Sequence, residues 1–288
     1  MITVHTIEEL RQHVRQAREQ GRRIGFVPTM GNLHDGHIRL VDHAKADDCF
    51  TVASIFVNPL QFNDASDLER YPRTLTADQK RLEAAATDLL FAPDVDEMYP
   101  HGQAQQSRVH VPGVSAGLCG GSRPGHFDGV ATVVTKLFNM VQPDRAYFGE
   151  KDFQQVAVIR KMVDDLNMPI TIVPVATARA DDGLALSSRN GYLSPEERAI
   201  APGLYRTLQH VLSRLQAHTP LAQALAEANE QLQQLGFIPD YVAVCHAHNV
   251  QSVQSGDTVK DLVILAAAHL GNARLIDNIH VTLNQRIE

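Results

Sequence analysis

"RIGFVPTMGNLHDGHIRLVDHAKADDCFTVASIFVNP", from Arg23 to Pro59, is the stretch on which the fold turns. "RIGFVP" is a short apolar run ending at Pro28, the length of a buried strand. Ile38, Val41 and Ala44 then recur at helical spacing. "FTVASIFVNP" is a β-branched run of the kind found in strands covered on both faces. Strand, helix, strand in so short a span reads as a βαβ unit. Its first junction, "VPTMGNLHDGH" (Val27 to His37), crowds two histidines and two glycines into one turn.

The pattern repeats outward from this unit. Upstream, Thr6 and Glu9 have capping-box spacing; Ile7, Leu10, Val14 and Ala17 share a helical face that Gly21 stops. Downstream, "TADQKRLEAAA" reads as a helix, "DLLFAP" as a strand and "GVATVVTKLFNMVQ" as a helix. "RAYFG", "EKDFQQVAVIRKMVDDLN" and "ITIVPVAT" continue as strand, helix and strand. Five strands alternating with helices predict a Rossmann-like parallel sheet with helices on both faces over residues 1–177. The segment from Met98 to Arg123 lacks periodicity and reads as a long loop.

After Thr177 the texture changes. "SPEERAIAPGLYRTLQHVLSRLQ" opens on a Ser194–Glu197 capping box with Pro195 at the first helical position, and Pro202 should interrupt it. A second helix runs from Thr219–Pro220 to Gly236, and "DYVAVCH", "LVILAAAHL" and "ARLIDNIHV" read as short strands. Residues 178–288 are therefore expected to form a smaller α+β domain.

Composition narrows the function classes. The 288 residues are 44% hydrophobic and 20% charged, with a formal net charge of −7, which disfavours non-specific nucleic-acid binding. Cys49, Cys119 and Cys245 are dispersed with no CxxC, which argues against a disulfide framework or a cysteine-rich zinc site. "MITVHTIEEL" is not a signal sequence, and "LVILAAA" is too short to span a bilayer. A cytoplasmic protein with no membrane partner is expected.

The His34–His37 turn sits where parallel sheets bind ligands, at the carboxyl end of a strand and the start of a helix. Gly31 and Gly36 permit close backbone approach, while His34 and His37 add directed donors. There is no GxGxxG turn and no P-loop, and a zinc site lacks an obvious third ligand. Phosphate binding explains the turn better. Four further stretches place polar groups where strands end: Asn58 and Gln61 in "VNPLQF", Arg123 and His126 in "SRPGHFDGV", Lys151, Asp152 and Gln155 in "FGEKDFQQ", and Ser187, Ser188 and Arg189 in "LALSSRNGYL".

Two early histidines and a late Ser-Ser-Arg loop resemble the HxGH nucleotidyl transferases. The ordered set "PTMGNLHDGH", "IFVNPLQF", "RPGHFDGV", "FGEKDFQQ" and "DGLALSSRN" resembles, more narrowly, the pantoate–β-alanine ligases, also called pantothenate synthetases. That resemblance implies an ATP-dependent condensation of pantoate with β-alanine through a pantoyl adenylate, giving pantothenate, AMP and pyrophosphate. It implies that His34, His37 and the amide of Met30 face the phosphates, with His37 as proton donor. Lys151, Ser187, Ser188 and Arg189 would hold the phosphates in the transition state, with Gly149 and Asp152 at the ribose and Pro28 among the ATP contacts. Gln61 and Gln155 would hydrogen-bond pantoate, with an apolar wall from Pro28, Met30 and Phe62. Arg123 and His126 fall in the segment resembling the family's flexible wall. Mg²⁺ would accompany ATP, held mainly by phosphates and water rather than by protein ligands. A homodimer is likewise what the resemblance suggests.

The motifs depart from the family pattern at Asn32, Asp35, Phe153 and Ala180, where Ala, Glu, Tyr and Glu are more usual. The nearest rival is another HxGH enzyme, one adenylylating a phosphate monoester. Gln61 and Gln155 oppose it, because neutral amides suit a hydroxyl and a carboxylate better than a second phosphate. A non-catalytic nucleotide-binding module would not require His34, His37, Lys151 and Arg189 together.

Overall fold

Ile24, Gly25, Phe26 and Val27 are all buried, so the strand they form is covered on both faces, as its uninterrupted apolar run requires. The computed structural model describes residues 1–63 and 65–288. In chain order its first elements are β1 (Ile2–Val4), α1 (Ile7–Glu19), β2 (Arg23–Thr29), α2 (Asp35–Ala46) and β3 (Cys49–Ile55). Next come α3 (Ala65–Arg70), α4 (Leu75–Ala84), β4 (Leu89–Phe91), α5 (Val95–Met98), α6 (Leu118–Ser122) and α7 (His126–Val141). The middle of the chain continues with β5 (Arg145–Gly149), α8 (Phe153–Asp165) and β6 (Thr171–Val175). The last elements are α9 (Pro195–Ile200), α10 (Gly203–Gln216), α11 (Leu221–Gln234), β7 (Ile238–His246), β8 (Thr258–Leu270) and β9 (Ala273–Arg286).

Two units are resolved. The first comprises 1–115, 123–150 and 158–176; the second comprises 116–122, 151–157 and 177–288. The first carries a six-stranded, all-parallel sheet in the order β1-β4-β3-β2-β5-β6, with helices packed on it. Five of these strands follow from the apolar runs. The sixth, β1, is a three-residue edge strand paired with β4. Val27, Ala53 and Leu90 pack with Leu40, Val41 and Ala44 of α2. α1 and α7 pack on each other and on β2. Pro28 is tolerated in a central strand because no ladder bond needs its missing N–H. Thr29 is the residue that bonds across to the end of β3, accepting from Phe56 N at 3.1 Å, while β5 pairs with β2 only at Gly25 and Phe26.

Strand order reverses between β2 and β5, so the β2–α2 turn leaves the sheet at its topological switch point, where open α/β sheets bind ligands. The first helix is capped as its sequence implies, Thr6 and Glu9 bonding reciprocally. No helix among the described residues is long and apolar enough to cross a membrane.

In the second unit β7, β8 and β9 form an antiparallel meander. Leu262, Ile264, Ala266 and Ala268 of β8 face α10 and α11, packing with Leu204, Leu208, Val211, Ala228 and Leu232. Val263 and Leu265 pack instead with Phe153, Cys245, Ala247 and Val250. Burial on both faces explains why "LVILAAAHL" is continuously apolar rather than alternating. Pro202 separates α9 from α10, and the Ser194–Glu197 capping box is formed.

Candidate active site

The β2–α2 turn is built by backbone geometry and one buried carboxylate. Gly31 (φ 82°) and Asn32 (φ 50°) both lie in the left-handed region, which glycine and asparagine tolerate best. A Cβ on Gly31 would lie 3.1 Å from both Asp78 Oδ2 and Ile55 Cγ2. Asp78, only 2% exposed, accepts the N–H groups of Asn32 (2.9 Å) and Leu33 (2.8 Å) and the Thr74 hydroxyl (3.0 Å). The turn is thus tied to a single side chain of α4.

His34 is the N-cap of α2. Its Nδ1 accepts the Gly36 N–H at 3.1 Å, while its own N–H donates to His37 Nδ1 at 3.3 Å. The pair is a capping box made from two imidazoles instead of a hydroxyl and a carboxylate. A neutral imidazole that accepts at Nδ1 carries its proton on Nε2. Both rings, with centroids 4.1 Å apart, are therefore set as Nε2–H donors at the positive end of a helix dipole. Such an arrangement suits an anion.

Gln61, in the turn Pro59–Gln61, is 8% exposed. Its Oε1 accepts from Asn58 Nδ2 (3.1 Å), and its Nε2 lies 3.0 Å from the Met30 sulfur. Asn58 also donates to Gly129 O (3.1 Å) and accepts from Tyr99 Oη (2.7 Å) and Leu60 N (3.3 Å). Burial raises the Tyr99 pKa, so that hydroxyl stays a donor. His126 Nδ1 donates to the carbonyl oxygen of Gln61 at 2.8 Å, and Arg123 Nη1 donates to His126 Nε2 at 3.1 Å. Helix α7 comes against this turn at Gly129, where an added Cβ would be 2.3 Å from Leu60 O. Met30, Gln61, Arg123 and His126 are thus brought together. Pro28 and Gly149, at the ends of β2 and β5, are half-buried.

In the second unit Lys151 Nζ lies 3.5 Å from Asp152 Oδ2, and Gln155 is half-buried one turn further on. Asn278 of β9 donates to the Lys151 carbonyl at 3.0 Å. Asp277 forms a two-pronged ion pair with Arg179 (2.6 and 2.8 Å), whose guanidinium lies 3.6 Å from the Tyr205 ring centroid. Arg179 also bonds Gly183 O at 3.1 Å, pinning the loop that leads to Ser187, Ser188 and Arg189. Ser187 caps the short turn 188–192, its hydroxyl accepting the Arg189 N–H at 3.2 Å. Gln154 bonds Cys119 N (3.1 Å) and Gly117 O (3.3 Å), fastening 116–122 beside Tyr241 and Asp240.

Comparison with known proteins places the chain in a family. The family model described as pantoate-beta-alanine ligase matches residues 2–280. The chain belongs to the pantoate–β-alanine ligase family. It is 61% identical over 287 residues to the pantothenate synthetase of Pseudomonas putida (strain GB-1), covering 99% of each chain. Among solved structures, the pantothenate synthetase of Thermus thermophilus superposes with a TM-score of 0.90 at 49% identity, over 97% of this chain and 99% of that one. The pantoate-beta-alanine ligase of Francisella tularensis, complexed with beta-gamma ATP and beta-alanine, superposes at 0.79 with 34% identity and 97% of each chain covered.

As a member of this ligase family, the chain also carries supporting residues that its motifs did not single out. Asp78 sat inside a predicted helix with no feature to distinguish it. Tyr99 lay in the unpatterned segment after Met98. Asp277 and Asn278 left a trace, since two adjacent polar residues inside an apolar strand need partners when both are buried. The departures from the family pattern also find places: Asn32 takes the left-handed turn, Asp35 pairs with Arg81 at 3.0 Å, Phe153 joins an apolar cluster, and Ala180 packs on the second unit's core.

Proposed function

We propose that this chain condenses pantoate with β-alanine at the expense of ATP. The pantoate carboxylate attacks the α-phosphorus, pyrophosphate leaves, and the β-alanine amine then attacks the activated carbonyl to release AMP. A carboxylate is already nucleophilic at neutral pH, so the protein has to align reactants and stabilise charge developing on phosphate oxygens. The observation that carries the reading is the His34–His37 turn, two Nε2–H donors at a helix N-terminus, in a chain of this ligase family.

In this reading His34, His37 and the Met30 amide bind phosphate oxygens, and His37 donates its Nε2–H as a hydrogen bond to the oxygen on which charge builds. Lys151, Ser187, Ser188 and Arg189 neutralise the transition-state charge. Gly149 and Asp152 contact the ribose, and Pro28 lies among the ATP contacts. Gln61 and Gln155 hydrogen-bond pantoate, with Met30 against its dimethyl group and Arg123 and His126 in the adjoining wall. Residues 1–177 take nucleotide and pantoate; 178–288 contribute the Ser-Ser-Arg loop. Mg²⁺ would accompany ATP, held mainly by phosphates and water. Bound so, Mg²⁺ would offset phosphate charge. A cytoplasmic homodimer completes the proposal, by analogy with the family.

The test is release of AMP and pyrophosphate from Mg-ATP with both co-substrates, then with each omitted. Pyrophosphate with pantoate alone, and sustained AMP formation only with β-alanine, is the expected result. Turnover indifferent to both would overturn the reading and redirect the search to phosphate-monoester acceptors.

A further inference from the structure

Gln61 can offer a ligand either its carbonyl or its N–H groups, and the structure has a device that selects between them. The selection begins at Asn58, which is 1% exposed and has its full hydrogen-bonding complement. Its Oδ1 accepts from Leu60 N (3.3 Å) and Tyr99 Oη (2.7 Å); its Nδ2 donates to Gly129 O and Gln61 Oε1, both at 3.1 Å. A backbone N–H and a backbone carbonyl cannot exchange roles, so they settle which way the Asn58 amide lies. Asn58 then occupies the Gln61 oxygen, and the Gln61 Nε2 is turned toward Met30.

The shortest of Asn58's four bonds comes from a residue outside every motif discussed above. Tyr99 is 2% exposed and follows α5, where its own N–H is fixed to Val95 O at 2.8 Å. Its ring lies 6.0 Å from that of Phe56, and Lys136 Nζ is 5.2 Å from its centroid. The hydroxyl therefore meets Asn58 from a rigid mount. Without it, Asn58 Oδ1 keeps only the longer bond to Leu60, and the hold on Gln61 slackens.

We propose that Tyr99 is a positioning residue for the acid substrate, its hydroxyl locking Asn58 so that Gln61 presents N–H rather than carbonyl to the oxygen acceptors of a hydroxycarboxylate. The inference rests on the assignment of Gln61 to pantoate. It explains why an amide pair can discriminate in favour of an acceptor-rich ligand: the polarity of the pair is set from behind, by groups the ligand never touches.

Tyr99→Phe keeps the ring, its packing and the Lys136 contact and removes only the hydroxyl. The expected result is a pantoate KM raised about tenfold, equivalent to ~1.4 kcal/mol and within the range of a lost buried hydrogen bond. The KM values for ATP and β-alanine should stay within about twofold, because neither ligand depends on Gln61. A double-mutant cycle supplies the second readout: in a Gln61→Ala background, Tyr99→Phe should no longer change the pantoate KM. A purely structural tyrosine would lower the melting temperature or the active fraction and leave all three KM values alone. That outcome, or an undiminished Tyr99→Phe effect in the Gln61→Ala background, overturns the inference. The wild-type enzyme keeps the two readings apart. Pantoate-dependent pyrophosphate release in wild type with an unchanged KM in Tyr99→Phe refutes the role of Tyr99 alone, whereas no such release in wild type refutes the substrate assignment as well.

Discussion

Replacing Gly129 with alanine should damage the Gln61 site proposed for the acid substrate far more than it damages the fold. A Cβ at this position would lie 2.3 Å from Leu60 O, 2.5 Å from Leu60 C and 2.7 Å from Gln61 Cα, all backbone atoms that no side-chain rotation can move. Ordinary contact begins at 3.4 Å, so α7 and the Pro59–Gln61 turn must separate by roughly 3.4 − 2.3 = 1.1 Å. Overpacking of this kind costs about 1–3 kcal/mol. Alanine returns about 1 kcal/mol of helix propensity, because Gly129 sits within a helix and its conformation demands no glycine. The net loss of stability is then about 0–2 kcal/mol, a fall of a few degrees in melting temperature at most.

Activity should respond on a different scale. The displaced turn carries Gln61, and the Asn58–Gly129 bond that orients Gln61 spans the same gap. A misplacement near 1 Å can lower a rate about 100-fold. Steady-state kinetics with pantoate varied, beside a thermal melt, make the comparison. A kcat/KM for pantoate reduced about 100-fold in a protein melting within about 5 °C of wild type is expected. A folded Gly129→Ala enzyme with wild-type kcat/KM would refute the reasoning, since the clash is backbone against backbone and has no cheap escape.

Three further outcomes follow from other parts of the structure. His37→Ala and Lys151→Ala should each lower turnover at least ~100-fold by removing a donor to developing phosphate charge; near-normal rates in folded variants would dismiss those roles. Arg179→Met should destabilise the protein by about 3–5 kcal/mol, because it strands a buried carboxylate. Asp277 is 3% exposed and takes both prongs of the pair, so denaturant unfolding should expose the loss, and an unchanged midpoint would contradict it. Acid should weaken the first unit through Asp47, whose pKa is lowered by hydrogen bonds from Tyr147 Oη (2.7 Å) and then from Arg145 (2.8 Å). That contribution is complete above the unfolded carboxylate pKa of about 3.9 and disappears as pH falls through the depressed folded value. Asp47→Asn should therefore melt with a shallower pH dependence than wild type below about pH 4; parallel curves would show that Asp47 contributes nothing to acid lability.

Local chemistry makes much of this protein legible from its sequence. Five of the six parallel strands and their helices follow from apolar periodicity, the Thr6 and Ser194 caps from spacing, and the interruption at Pro202 from the missing N–H of proline. The candidate site residues were legible because their chemistry is carried by side chains crowded at strand ends. Phosphate chemistry demands donors and flexible backbone in one place, and the His34–His37 turn supplies both. What could not be read were the residues that hold this machinery. Asp78 and Gly129 look like ordinary helix positions, and Tyr99 lies in a segment with no period at all.

The division has a physical cause. Secondary structure, helix caps and the type of chemistry depend on contacts within a few residues along the chain, so spacing encodes them. Orientation depends on partners far away in sequence: Asp78 reaches the turn at 32–33, Tyr99 reaches Asn58, Gly129 makes room for Leu60, and Asp277 receives Arg179. Each of those groups is specified by burial and hydrogen-bond satisfaction at a single point in space, which no one-dimensional pattern records. The sequence by itself determined which chemical groups the candidate site offers. Only the tertiary structure decided that His34 and His37 turn their Nδ1 atoms toward backbone N–H groups at the start of α2, and that Gln61 gives its oxygen to Asn58 and turns its nitrogen toward Met30.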